Sequence, residues 1–237
     1  MDKKIIVANW KMNPQTYIEA EQLMFSVMET VKEQKNTKVI LCPPFVWLTD
    51  LSHKHKNDIS FGAQDIFWED SGAYTGEISP QMLSSSGVEY VIIGHSERRA
   101  LGETDEMINK KLKAALRNGL TPILAVGEKN KGDDREEVLT SRLKADLDGV
   151  DSGKLIIAYE PVWAIGMGDA ETPEHTLEAV EIIKRTARNV PILYGGSIDS
   201  QNVGDFISKS KIAGVLVGGV SINKEEFKKI IEIAYNV

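Results

Sequence analysis

The chain has 237 residues, 42% of them hydrophobic, enough to bury a sizeable core as one α/β barrel or two smaller domains. Its formal net charge of −7 repels polyanions and argues against nucleic acid or an anionic membrane surface as a non-specific partner. A single cysteine, Cys42, excludes an internal disulfide, no apolar run approaches a membrane span, and Ile5 to Ala8 is too short for a signal peptide's apolar region, so the expectation is a cytoplasmic protein.

Along the chain, apolar runs recur about every thirty residues, the length of a strand and its crossover helix. Ile5 to Ala8 opens the series and leads into Asn9-Trp10-Lys11-Met12-Asn13, after which Thr16 and Glu19 form a capping box that starts a helix. Val39 to Leu41 and Ile59 to Ala63 come next. The third run is followed by Gln64-Asp65 and a long loop through Ser71-Gly72-Ala73-Tyr74-Thr75-Gly76-Glu77, a length that in compact folds usually binds something. Ser79-Pro80 then places an N-cap residue before a proline at the first helical position. Tyr90 to Ile93 leads into Gly94-His95-Ser96-Glu97-Arg98-Arg99. Asn118-Gly119 ends a helix before Pro122 to Val126, and Asp148-Gly149 ends another; Lys131 to Glu137 between them reads as a solvated loop and helix start. Leu155 to Tyr159 runs into Glu160 and Pro161, and Thr172-Pro173 again marks a helix start. Ile192 to Tyr194 precedes Gly195-Gly196-Ser197, and Val215 to Val217 precedes Gly218-Gly219.

Strands apolar on both faces, alternating with helical crossovers, imply a parallel sheet. Eight such units in this length fit a closed (β/α)8 barrel better than an open sheet, and with no linker or low-complexity tract the expectation is one domain over residues 1–237. In such a barrel the site forms where the strands end. Pro161 cannot extend a central strand, so Glu160 sits at the last position of the sixth and faces that mouth, although the same carboxylate could merely cap a helix. Lys11 can bring an ammonium there with Asn9 orienting it by hydrogen bonding, while a lysine taken alone reads as surface. His95 stands at the fourth strand's end. The glycine pairs after strands seven and eight offer main-chain N–H groups that an anion can approach, which suits a phosphorylated ligand.

Read together, Asn9-Trp10-Lys11-Met12-Asn13, Gly94 to Arg99, Ala158-Tyr159-Glu160-Pro161-Val162-Trp163-Ala164-Ile165-Gly166, Tyr194-Gly195-Gly196-Ser197 and Leu216-Val217-Gly218-Gly219 resemble the triosephosphate isomerase family, in order and across the chain. The resemblance implies a TIM barrel and the interconversion of dihydroxyacetone phosphate and glyceraldehyde 3-phosphate. It makes Glu160 the base, His95 the neutral electrophile, Lys11 and Asn9 the electrostatic partners of substrate, and Glu97 the support of Lys11. Main-chain N–H groups of Gly166, Ser197, Gly218 and Gly219 would hold the phosphate. Thr75, in a loop similar to the family's dimer loop, would reach a neighbouring subunit near Lys11 and His95, so a homodimer is expected. The sequence departs from the family pattern at Met167, at Asp169-Ala170-Glu171, where two carboxylates would either face the bound phosphate or favour the dipole of the helix beginning at Thr172, and at Ala125.

The chemistry needs no cofactor, and with His53 and His55 as the only near histidine pair, in a polar stretch, no metal is expected. Four other enzyme classes compete: a glycosidase using Glu97 and Glu160, a Schiff-base aldolase using Lys11, a zinc-dependent aldolase, which would want clustered histidines, and another phosphate-binding barrel enzyme. A non-catalytic phosphate-binding barrel is the remaining alternative, and it would be expected to lack either base or electrophile.

Overall fold

Backbone N–H and C=O groups of a strand buried on both faces can be satisfied only by neighbouring strands, and here the runs satisfy one another in a ring. The computed structural model describes residues 3–34, 37–165 and 171–237. Strands β1 (Lys4–Asn9), β2 (Thr37–Cys42), β3 (Ser60–Ala63), β4 (Tyr90–Ile93), β5 (Thr121–Val126), β6 (Ile156–Tyr159), β7 (Ile192–Tyr194) and β8 (Gly214–Val217) pair in chain order, and β8 closes on β1. All pairs are parallel, with Val7 opposite both Ile40 and Leu216. The fold is therefore the (β/α)8 TIM barrel.

Two strands, β3 and β6, begin one residue later than their apolar runs. Ile59 donates its amide to the carbonyl of His55, which commits it to closing the preceding helix, so β3 begins at Ser60. Leu155 serves as the cap of a 3-10 turn, Ser152–Lys154, so β6 begins at Ile156. Helix starts follow the capping chemistry: Thr16 and Glu19 form both bonds of the capping box, and Ser79 and Thr172 each cap a helix whose first residue is proline. The helix before β6 ends at Asp146, with Gly149 making the turn at φ 65°, a conformation that glycine adopts without strain.

Side chains divide into two layers. Val7, Ile40, Ile92, Ile123, Ala158, Leu193 and Leu216 fill the barrel itself, with Cys42 among them. Alternate strand residues such as Ile6, Val91 and Ile157 face outward against helical residues including Met24, Leu112, Ile183 and Phe227. Each such aliphatic or aromatic side chain contributes about 2 kcal/mol by leaving water, so the double core fixes the strand ends as a rigid rim. Asn9, His95, Gly127, Glu160, Gly195 and Gly218 all follow or close strands on that one rim.

Candidate active site

Lys11 begins at a strained backbone. It has φ 53°, in the left-handed region that a lysine rarely occupies, and two side chains hold it there. Its N–H donates to Asn9 Oδ1 at 3.1 Å, and its carbonyl accepts from Gln64 Nε2 at 2.8 Å. Gln64 also donates to the carbonyl of Cys42, so the end of β2 helps set the lysine. The outcome is that Lys11 Nζ lies 2.6 Å from Glu97 Oε1. Asn9 thus orients the lysine through its backbone, and its own side chain is buried. A built Cβ on Gly218 would lie 3.3 Å from Lys11 Cε, so the loop after β8 passes directly beside this side chain.

His95 caps the short helix Ser96–Ala100: its Nδ1 accepts the Glu97 N–H at 3.2 Å. Accepting there requires a lone pair on Nδ1, so the imidazole's proton is on Nε2. That Nε2 lies 3.6 Å from Glu160 Oε1. Glu160 is 1% exposed, and its Oε2 accepts the Ser96 N–H at 3.3 Å. Oε1 has no hydrogen-bond partner among the described residues. Gly195 and Gly127 make this packing possible: a Cβ at Gly195 would sit 2.8 Å from Glu160 Cγ, and one at Gly127 would collide with the Glu160 carbonyl oxygen. A cavity of about 470 Å³ adjoins Glu160 on the β4–β5 side, beside Arg99, Gly127 and Arg142. It is bordered by neither Lys11 nor His95.

Of the glycine loops, Ser197 follows β7 and its Oγ donates to the Ala164 carbonyl at 2.6 Å, while Gly219 opens a 3-10 turn, Gly219–Ile222. Gly166 lies outside the described residues, as do Met167 and Asp169. Thr75 is exposed, in the wholly exposed stretch 71–77 of the loop after β3. For Glu171 the structure favours the second of the two alternatives: its carboxylate is buried against Arg135, 2.7 Å away, and its Oε1 accepts the Thr172 N–H at 3.3 Å, at the start of the helix. Arg135 is correspondingly only 20% exposed, although it belongs to the otherwise solvated charged cluster Lys131 to Glu137. Gln64, Gly127, Glu128 and Arg135 are the site's supports that the sequence pattern did not single out as such. A glycine and a glutamate directly after the fifth strand were the available signal.

A sequence model of the family described as triosephosphate isomerase matches residues 4–234. The chain belongs to the triosephosphate isomerase family. The protein called triosephosphate isomerase in Trichodesmium erythraeum (strain IMS101) is 46% identical over 239 residues, covering 98% of this chain and 99% of that one. The one from Dictyoglomus thermophilum is 43% identical over 249 residues, covering 98% of this chain and 100% of the other. That of Caldanaerobacter subterraneus subsp. tengcongensis is 46% identical over 249 residues, with coverage of 98% and 99%. As a triosephosphate isomerase the chain is an enzyme acting on a phosphorylated three-carbon substrate, an aldose–ketose isomerisation belonging to glycolysis. No helix among the described residues is long and apolar enough to cross a membrane.

Proposed function

We propose that Glu160, His95 and Lys11 carry out the interconversion of dihydroxyacetone phosphate and glyceraldehyde 3-phosphate through an enediolate, without a cofactor. The carrying observation is the 3.6 Å approach of His95 Nε2 to Glu160 Oε1, an oxygen with no other partner among the described residues. Taking a proton from carbon beside a carbonyl requires a base over the carbon and donors where charge develops on oxygen. Glu160 removes the proton and returns it to the neighbouring carbon. His95 Nε2–H faces the carbonyl oxygen, and Lys11 supplies positive potential, with Asn9 and Glu97 fixing its position. Main-chain N–H groups of Gly166, Ser197, Gly218 and Gly219 receive the phosphate. Binding that remote dianion supplies energy that can be used at the reacting carbons.

The pairing of Glu97 with Lys11 supports this reading over a glycosidase that would use Glu97 as its second carboxylate and over a Schiff-base aldolase that would need Lys11 as a free amine. We further read the chain as one domain over residues 1–237, working in the cytoplasm as a homodimer whose Thr75 loop meets the partner's mouth.

In a coupled assay, Glu160→Gln is expected to abolish most turnover while phosphate-ligand binding remains measurable, because the carboxylate moves the proton and does not hold the phosphate. Near-normal kcat in that variant would overturn the assignment. His95→Gln is expected to lower kcat; a rise in KM alone would make it a binding residue.

A further inference from the structure

Behind the base lies a second cluster of charges that the reaction does not consume. Glu128, in the loop after β5, and Glu171, before the helix Pro173–Thr186, both have side chains only 2% exposed, and Arg135 lies between them. Arg135 Nε donates to Glu128 Oε1 at 3.1 Å and Nη2 to Glu171 Oε2 at 2.7 Å. A planar fork can serve two carboxylates at once, which an ammonium on a flexible stem does poorly.

Each carboxylate is tied in turn to the residues around the base. Glu128 Oε1 also accepts the Tyr159 hydroxyl at 2.8 Å and the Trp163 indole N–H at 3.4 Å, so it grips the residue before Glu160 and the third residue after it. Burial, with the Glu128 carboxylate beside it, pushes the Tyr159 phenol well above its ordinary range, so the hydroxyl stays a donor. On the other side the Glu171 N–H donates to the Tyr194 hydroxyl at 3.2 Å. Tyr194 is the last residue of β7 and precedes Gly195, against which Glu160 Cγ packs. One guanidinium therefore joins the end of β6 to the end of β7 around the base, touching neither Glu160 nor the space its Oε1 faces.

We propose that Arg135 is a positioning residue for the isomerisation, acting through the Glu128 and Glu171 carboxylates to fix the strand ends that aim Glu160. This rests on Glu160 being the base. A proton transfer is sensitive to small displacements, and the cluster's hydrogen bonds go to Tyr159, Trp163 and Tyr194 and not to Ser197, Gly218 or Gly219, so its loss falls mainly on kcat.

The test compares Arg135→Lys, Glu171→Gln and Glu178→Gln with the parent enzyme by steady-state kinetics, thermal unfolding and Trp163 fluorescence, the last taken as the difference from a Trp163→Phe background. Arg135→Lys keeps the charge but loses the fork, and Glu171→Gln keeps the shape but loses the charge. Both are expected to lower kcat about tenfold with KM within about twofold, and Arg135→Lys to change the Trp163 emission. Glu178, an exposed third partner of Arg135, is expected to be replaceable by Gln without effect on kcat. A folded Arg135→Lys and Glu171→Gln that keep kcat within about twofold while melting earlier would overturn the proposal, leaving the cluster purely structural. A rise in KM with kcat kept would overturn it equally. If Arg135→Lys does not fold, the kcat of Glu171→Gln decides. Glu160→Gln separates the two readings: active, it removes the base assignment and the proposal together, while inactive beside unaffected Arg135 and Glu171 variants it removes the proposal alone.

Discussion

The proposed role of Glu160 as base requires its reactive oxygen to be left unoccupied, and the shape of the neighbouring main chain does this. Ser96 N–H holds Oε2, the imidazole edge approaches Oε1, and Gly195 closes against Cγ with no side chain of its own. A methyl group there would meet Cγ at 2.8 Å, closer than such atoms tolerate, and the stem of Glu160 would have to give way because the surrounding strand ends are packed. Gly195→Ala is therefore expected to lower kcat by about two orders of magnitude while leaving the circular dichroism spectrum unchanged. Steady-state kinetics on the purified variant check this, and parental turnover would mean that the base relocates freely. The strain at Lys11 has the same origin. Asn9 and Gln64 secure its φ of 53°, so Gln64→Ala is expected to weaken catalysis although Gln64 reaches only main-chain carbonyls.

Elements carry the balance between local signals and long-range contacts. The helix Tyr17–Glu33 starts where its capping box requires, and Thr16→Ala is expected to cost about 1 kcal/mol in urea unfolding without altering kcat, since the cap's hydrogen bonds run between Thr16 and Glu19 and reach none of Lys11, His95 and Glu160. Signals of this sort were legible because they are local: apolar runs gave the strands, caps gave helix starts, and residues just beyond each run gave the candidate site. Arg135, Glu128 and Glu171 were not legible, because their pairing joins the loop after β5 to the start of two helices, and charge spacing along one stretch says nothing about it. The same holds for Lys111, a helical lysine buried between Asp65 and Glu103. It also holds for Asp146, fully buried at the end of the helix Arg135–Asp146, with Arg99 Nη2 at 2.7 Å and Oδ1 without a partner among the described residues. Burial pushes its carboxyl up to about 7, more than the nearby guanidinium pulls it down. With the folded value raised above the ordinary 3.8, the folded state holds the proton more tightly, so this group's contribution is fully present below that ordinary value and is lost as pH rises through about 7. Asp146→Asn is expected to flatten the decline of stability with pH across that window; an unchanged slope in pH-dependent urea unfolding would contradict it.

At the scale of the molecule, the barrel has a sector that a monomer leaves in water. Met12 is 85% exposed and Leu101 81%, and Val46 and Met82 are also largely open. These four lie in the connections leaving β1, β4, β2 and β3 in turn, consecutive strands of the barrel, so they share one side of its mouth. The loop between β3 and the helix Pro80–Ser85 projects from the same sector, with residues 71–77 all exposed. Scattered apolar residues on a surface need no explanation, but several large ones grouped on one sector beside a projecting loop are what an interface leaves exposed when its partner is removed. A two-fold interface would place the loop of one subunit against the mouth of the other, which is the arrangement inferred for Thr75. Burying Leu101 and Met82 in such a contact makes a charge there costly, because an aspartate would lose its water without gaining a counter-ion. Leu101→Asp is therefore expected to shift sedimentation at micromolar concentration from dimer to monomer while the barrel stays folded, and to lower kcat because each mouth loses its neighbour's loop. Parental enzyme that sediments as a fully active monomer at that concentration would reject both the interface and the role of Thr75, and a Leu101→Asp variant that remains dimeric would move the interface elsewhere.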